Sequence, residues 1–154
     1  MKDSIKLGVT LFVITAVAAG VLAFSNDMTA PIIAEREKQE SFGALSKIFE
    51  NADDFVEIDA EKLTEIQSTN TTVNEVLEAK SGDETIGYAF KVASGGYGGD
   101  INIIVGINRD NTIAGISIGS HGETPNIGDR INRPEFADSY KGKTTTEKLT
   151  AVGS

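Results

Sequence analysis

The chain has 154 residues, is 40% hydrophobic and carries a formal net charge of −9. A field of that sign repels phosphate backbones and excludes nucleic-acid binding, while the ordinary hydrophobic content implies a folded body. With no cysteine, the chain has no disulfide, no thiolate catalysis, and no Cys ligation of zinc or iron–sulfur clusters.

The first element is the uncharged run LGVTLFVITAVAAGVLAF, residues 7–24. As a helix it spans about 27 Å at about 1.5 Å per residue, close to the hydrocarbon thickness of about 30 Å. Its polar side chains, Thr10 and Thr15, can bond back to their own helix. Lys2 and Lys6 precede it, and no basic residue follows until Arg36, so the positive-inside rule predicts a cytoplasmic N-terminus and an extracytoplasmic body. A cleaved signal peptide competes with this reading. However, the apolar run is longer than a usual signal core, and Phe24 stands where cleavage wants a small residue. The expected organisation is a cytoplasmic start and transmembrane anchor over residues 1–26, in contact with membrane lipid, and one extracytoplasmic domain over residues 27–154. Setting aside Lys2, Lys6 and Asp3 takes the basic count from 14 to 12 and the acidic count from 23 to 22, so the body carries −10.

Pro31 fits either the first turn of a new helix or a kink in a continuing one. Residues 32–51 are rich in helix formers, and Phe42, Leu45, Ile48 and Phe49 form an apolar stripe at helical spacing. Residues 53–78 are polar and acidic with short apolar islands, and read as a weak strand and short helices. Ile86, Tyr88, Phe90 and Val92 then alternate as on a half-buried strand. After the Gly-rich run Ser94-Gly95-Gly96-Tyr97-Gly98-Gly99, a second strand covers residues 101–106. A turn at Arg109-Asp110-Asn111 leads to a third strand over residues 112–118. Three strands with short links predict an antiparallel meander. A polar loop over residues 120–126 and two short helices, the second over residues 134–140, complete an α+β architecture with helices packed on the sheet.

The single histidine, His121, lies in His121-Gly122-Glu123-Thr124-Pro125. It has only Glu123 and Asp129 nearby as metal ligands. Ser117 and Ser120 are close in sequence, but no G-x-S-x-G elbow accompanies them. A structural hydrogen-bonding histidine is the plainer reading. The Gly-rich run fails as a dinucleotide fingerprint, because Ile101 occupies the third glycine position and a strand follows. Gly142-Lys143-Thr144 fails as a P-loop, because Ala137 stands where its first glycine belongs. What remains is a Gly-rich link that lets backbone approach a ligand closely, with Tyr97 offering an aromatic face to a flat ring. The alternative is a flexible hairpin with an exposed tyrosine.

At these residues the chain resembles the RnfG/NqrC family of FMN-binding subunits. The order carries the resemblance: an N-terminal anchor, Gly96-Tyr97-Gly98-Gly99, the strand Ile-Asn-Ile-Ile-Val-Gly-Ile-Asn, and Ile113-Ala114-Gly115-Ile116. His121-Gly122-Glu123-Thr124-Pro125-Asn126-Ile127-Gly128 follows, then Phe136 and Lys141-Gly142-Lys143. Asn126 and Ile127 stand where the family usually has Gly-Leu. The resemblance implies a flavin pocket lined by Tyr97, Gly98 and Gly99. It implies that Glu123 and Thr124 contact the flavin or shape its loop, with Pro125 fixing that loop and His121 as a neighbour. Thr124, Pro125 and Asn126 also suit a helix start.

The resemblance further implies FMN joined through its phosphate to a threonine in a Ser-Gly-Ala-Thr motif, installed by a separate flavin transferase. That motif is absent from the 154 residues. The resemblance places it after Leu149-Thr150-Ala151-Val152, so the attachment threonine is expected beyond Ser154. Thr144, Thr145 and Thr146, flanked by Lys143 and Glu147, lack the Gly-Ala context. The stretch between the anchor and the Gly-rich run is short, where the quinone-reductase branch usually has a longer insertion. The Rnf branch is therefore expected. This implies an electron-carrying subunit of a membrane-bound, ion-translocating ferredoxin:NAD oxidoreductase, with other membrane subunits as partners and no complete active site of its own. An NqrC-like subunit, a non-redox anchored scaffold domain and a flavin protein of extracellular electron transfer are the alternatives.

Overall fold

The structure, a computed structural model, describes residues 2–146, with side chains from Ile5 onward. The stretch 149–152 and the flavinylation position expected after it lie outside the described residues. The chain divides into two compact units, Met1–Gln39 and Glu40–Ser154.

The first unit is helical. Helix α1, Lys2–Ile48, runs without interruption through Pro31, so the proline sits in a continuing helix. The hydroxyl of Thr10 donates to the Lys6 carbonyl at 2.9 Å and that of Thr15 to the Leu11 carbonyl at 3.0 Å, satisfying both within the helix. The helix is long and apolar enough to cross a membrane, with a mean hydropathy of 2.4 in its most apolar window and none of that window buried. Leu7, Phe12, Leu22 and Phe24 are 68–72% exposed. A core helix of a water-soluble protein covers such side chains. A lipid-facing helix does not, because hydrocarbon is as apolar as they are.

The second unit is an antiparallel sheet carrying the end of α1. Strands β1 (Asp54–Glu57), β2 (Val73–Ser81), β3 (Glu84–Gly95), β4 (Asp100–Asn108) and β5 (Ile113–Ile118) pair in chain order. The α+β expectation is met, but the sheet has five strands: the region expected to hold one weak strand and short helices supplies two, β1 and β2. β1 is four residues long, and β2 carries Glu75, Glu78 and Lys80, so the strand signal of both is weak in isolation. Glu75 is tolerated because its cross-strand partner is Lys91, whose Nζ lies 2.7 Å from the Glu75 carboxylate. Helix α2 (Ala60–Thr69) packs against β2.

Leu77, Ala89, Gly106 and Gly115 pair successively across β2 to β5, forming a row of mostly small residues. Leu45 and Phe49 at the end of α1 are 2% and 4% exposed and share a core with Leu77, Ala79, Ala89, Ile104 and Ala114. The small row is what lets the helix settle. A Cβ built on Gly106 would meet Ile48 Cγ2 and stand 2.9 Å from Phe49 Cε2. Phe42, on the same stripe, is mostly exposed and meets Phe55 edge-on at 5.7 Å.

Beyond β5 the chain forms a loop, a 3-10 turn over Gly128–Asn132 and helix α3 (Pro134–Asp138), which opens on proline and packs against β5. Ile113 then bonds residues 142–143 in both directions, its carbonyl accepting from the Gly142 N–H and its N–H donating to the Lys143 carbonyl, each at 2.8 Å.

Candidate functional site

The register of β4 and β5 builds the site. Gly95 pairs with Asp100, so residues 96–99 form the tip of the β3–β4 hairpin, closed by the Gly96 N–H donating to the Gly99 carbonyl at 2.8 Å. Gly99 has a φ of +131°, which a side chain would resist. Ile118 pairs with Ile103, so the loop leaving β5 emerges beside that tip. Asn102 ties it down. Its N–H donates to the Ser120 carbonyl, its carbonyl accepts from the Gly119 N–H, and its carboxamide donates to the Ser120 hydroxyl at 2.8 Å.

Glu123 joins the two loops. Its Oε1 accepts the Gly98 N–H at 3.0 Å, across 25 positions of sequence. Two glycines make room for its carboxylate and a third for the crossing of the two loops. A Cβ on Gly96 would strike Oε1, a Cβ on Gly128 would strike Oε2, and a Cβ on Gly98 would strike the Gly122 carbonyl oxygen. The carboxylate is thus enclosed by backbone from the hairpin on one side and from the start of the 3-10 turn on the other.

His121 braces the same loop. Its Nδ1 accepts the Glu123 N–H at 3.2 Å, and its Nε2 lies 2.7 Å from the Asn132 carboxamide. The Thr124 carbonyl accepts from the N–H groups of Ile127 and Gly128 at 3.2 and 3.0 Å. Asn126 within that turn has a φ of +63°. The N-cap of the 3-10 turn is Ile127, without a side-chain cap bond, so the Thr124 carbonyl rather than its hydroxyl closes this turn.

Of the residues singled out from sequence, Gly98, His121 and Glu123 are linked by hydrogen bonds, and Thr124, next in the chain, closes its own turn with Ile127 and Gly128. Gly99 serves the hairpin conformation, with open space where a Cβ would stand. Pro125 is exposed within the Thr124 turn. Tyr97 is 96% exposed and projects from the hairpin tip, and Ile127 is 73% exposed on the facing loop. Sequence reasoning missed Gly96, Gly122 and Gly128 as parts of the Glu123 enclosure, although as glycines inside the two motifs they were open to suspicion. It also missed Asn132, which carries no sequence signal.

Chemically the arrangement holds rather than reacts. Both imidazole nitrogens and one carboxylate oxygen are committed to loop contacts, and among the described residues no hydroxyl is bonded to His121 as a nucleophile is to its base. Among the described residues, no three of His, Cys, Asp and Glu gather as a metal site.

Comparison with known proteins agrees with this site. The sequence model of the FMN-binding domain matches residues 96–153, starting at the hairpin tip. The chain is 35% identical to the G subunit of the Na(+)-translocating ferredoxin:NAD(+) oxidoreductase complex of Acetobacterium woodii, over 98% of this chain and 75% of that protein. It is 27% identical to the G subunit of the proton-translocating ferredoxin:NAD(+) oxidoreductase complex of Clostridium ljungdahlii, over 96% and 70%. With the G subunit of the ion-translocating oxidoreductase complex of Erwinia tasmaniensis the identity is 30%, over 93% and 71%. An identity of that level across nearly the whole chain, anchor helix included, places this protein in the RnfG family, the G subunits of ion-translocating oxidoreductase complexes.

Proposed function

We propose that the chain is the electron-carrying flavoprotein subunit of a membrane-bound, ion-translocating ferredoxin:NAD oxidoreductase complex. The 35% identity to the Acetobacterium woodii protein carries this reading, together with an FMN-binding match that covers both loops joined by Glu123. Relatives named for ferredoxin and NAD favour this branch over the quinone-reductase one.

The residues present suit a flavin. Tyr97 and Ile127 offer apolar faces on two loops held by one carboxylate, in a protein that is otherwise acidic. Bound FMN would supply redox chemistry in single-electron steps. The chain's part is to hold it. Tyr97 and Ile127 flank the ring, Gly98 and Gly99 let backbone come close, and Glu123, Thr124 and Pro125 shape the facing loop, with His121 behind them. The proposal includes covalent attachment of the FMN phosphate to a threonine by a separate flavin transferase. It also includes residues 1–26 as a cytoplasmic start and inner-membrane span, residues 27–154 as the extracytoplasmic domain, and other membrane subunits as electron partners.

The natural gene, expressed with its flavin transferase, tests the reading. A flavin-fluorescent band after denaturing electrophoresis is expected, with co-purification of the other membrane subunits. A native preparation free of flavin overturns the carrier role, and a flavin lost on denaturation overturns the covalent link alone.

A further inference from the structure

The hydrogen bonds around His121 settle which nitrogen carries its proton. The Glu123 N–H can only donate, so Nδ1 must be a bare acceptor. A neutral imidazole then bears its proton on Nε2. Nε2–H needs an acceptor, whereas the atom placed 2.7 Å away is the Asn132 Nδ2, itself a donor. A side-chain amide can turn either end to a partner, and the consistent arrangement points Oδ1 at Nε2.

We propose that Asn132 is a positioning residue for the flavin site. It fixes the His121 tautomer and ring, the ring holds the Glu123 backbone, and the Glu123 carboxylate holds the hairpin tip at Gly98. The purpose of this chain of contacts rests on the flavin reading above; the chain of contacts itself does not. Three features make it a brace rather than a set of incidental bonds. It joins three separated segments, the hairpin tip at Gly98, the loop at 121–123 and the 3-10 turn at Asn132. The absence of a side chain at Gly96 and Gly128 is what lets the Glu123 carboxylate lie between them, since a Cβ at either would strike one of its oxygens. Tyr97 and Ile127, on the two loops that the brace joins, are 96% and 73% exposed, so the brace bears on the gap between them.

Tyr97-Gly98 is the only Tyr-Gly pair in the sequence, so labelling tyrosine carbonyls with carbon-13 and glycine amides with nitrogen-15 isolates the Gly98 amide. The test uses the full chain in detergent micelles, following hydrogen exchange at Gly98 and quenching of added FMN. Asn132→Leu is expected to speed Gly98 exchange about tenfold, as befits loss of one supporting hydrogen bond. It is also expected to weaken FMN binding by a similar factor. Asn132→Asp, which keeps an oxygen acceptor for Nε2–H, is expected to restore both. Gly98 exchange unchanged in Asn132→Leu overturns the brace, as does failure of Asn132→Asp to restore it. If wild-type chain does not quench FMN while Gly98 responds as described, non-covalent FMN binding by these loops falls and the brace survives as a structural device.

Discussion

Gly98 and Gly122 cross so closely that neither has room for a side chain. A Cβ on Gly98 would strike the Gly122 carbonyl oxygen, and one on Gly122 would lie 2.6 Å from the Gly98 carbonyl oxygen. The contact is backbone against backbone, so no rotamer change can relieve it. Gly98→Ala is therefore expected to push the hairpin tip off the loop and break the Glu123 bond. The expected loss of FMN affinity is about tenfold, the equivalent of about 1.4 kcal/mol. The unfolding midpoint should barely move, because the loops are exposed and lie outside the core. Gly95→Ala is the control: its Cβ would enter open space, and its φ is not left-handed. Equal FMN binding by Gly98→Ala and Gly95→Ala would count against a tight crossing.

The hairpin tip and the His121 loop were legible in sequence because glycine, proline and histidine are chemically distinctive at fixed spacing. Their meeting was not legible. It depends on the β4–β5 register, which brings Ile118 beside Ile103, and a shift of one residue would aim the loop elsewhere. β2 was missed for a related reason. Its Glu75 makes sense only beside Lys91, a partner on another strand. The apolar alternation at Tyr88, Phe90 and Val92 was visible, yet the face that receives the helix is the opposite one, built of Gly87, Ala89 and Gly106. Small residues leave little hydrophobic signal, and their value appears only once Phe49 lies over them.

That small-residue face yields a paired stability prediction. Gly106→Ala would force a methyl into Ile48 and the Phe49 ring, both held in the core, and overpacking of this kind costs about 1–3 kcal/mol. Gly115→Ala, one strand away on the same row, would place its methyl 3.5 Å from Ile48 Cγ1, an ordinary contact. It should be neutral or stabilising by about 0.5 kcal/mol through reduced freedom of the unfolded chain. Denaturant unfolding of the two variants in the same detergent checks the difference.

Asp110 gives a pH dependence. In the β4–β5 turn its Oδ1 accepts from the Thr112 hydroxyl at 2.6 Å and from the Thr112 N–H at 3.0 Å. These bonds favour the carboxylate and hold its pKa below the ordinary 3.8, the side-chain bond being the larger cause. The folded state therefore binds this proton less readily than the unfolded state. The contribution to stability is complete above the ordinary value and fades as pH falls through the lowered one. Wild type should lose ground to Asp110→Asn as pH drops from about 5 to about 2, and match its pH trend above about 5. Parallel unfolding curves for the two proteins across the acid range would contradict this assignment.

Asn126 tests why the motif departs from the Gly-Leu pair of the family it resembles. Its φ of +63° lies in the left-handed region, which glycine enters freely, asparagine tolerates and β-branched residues avoid. The turn around it is closed by the Ile127 and Gly128 N–H groups on the Thr124 carbonyl, so the backbone cannot leave that region without giving up both bonds. Asn126→Gly should leave stability within about 0.5 kcal/mol of wild type, since the gain in conformational ease is offset by greater freedom when unfolded. Asn126→Val should strain the turn by about 1–2 kcal/mol, the penalty a side chain incurs in this region. Because the turn is exposed, the strain will surface locally. Hydrogen exchange at Ile127 and Gly128 should quicken about tenfold or more in Asn126→Val while the sheet amides stay protected, each factor of ten corresponding to about 1.4 kcal/mol of local opening. Unchanged exchange at these two amides would mean that the turn accommodates valine and that the positive φ places no demand on residue 126.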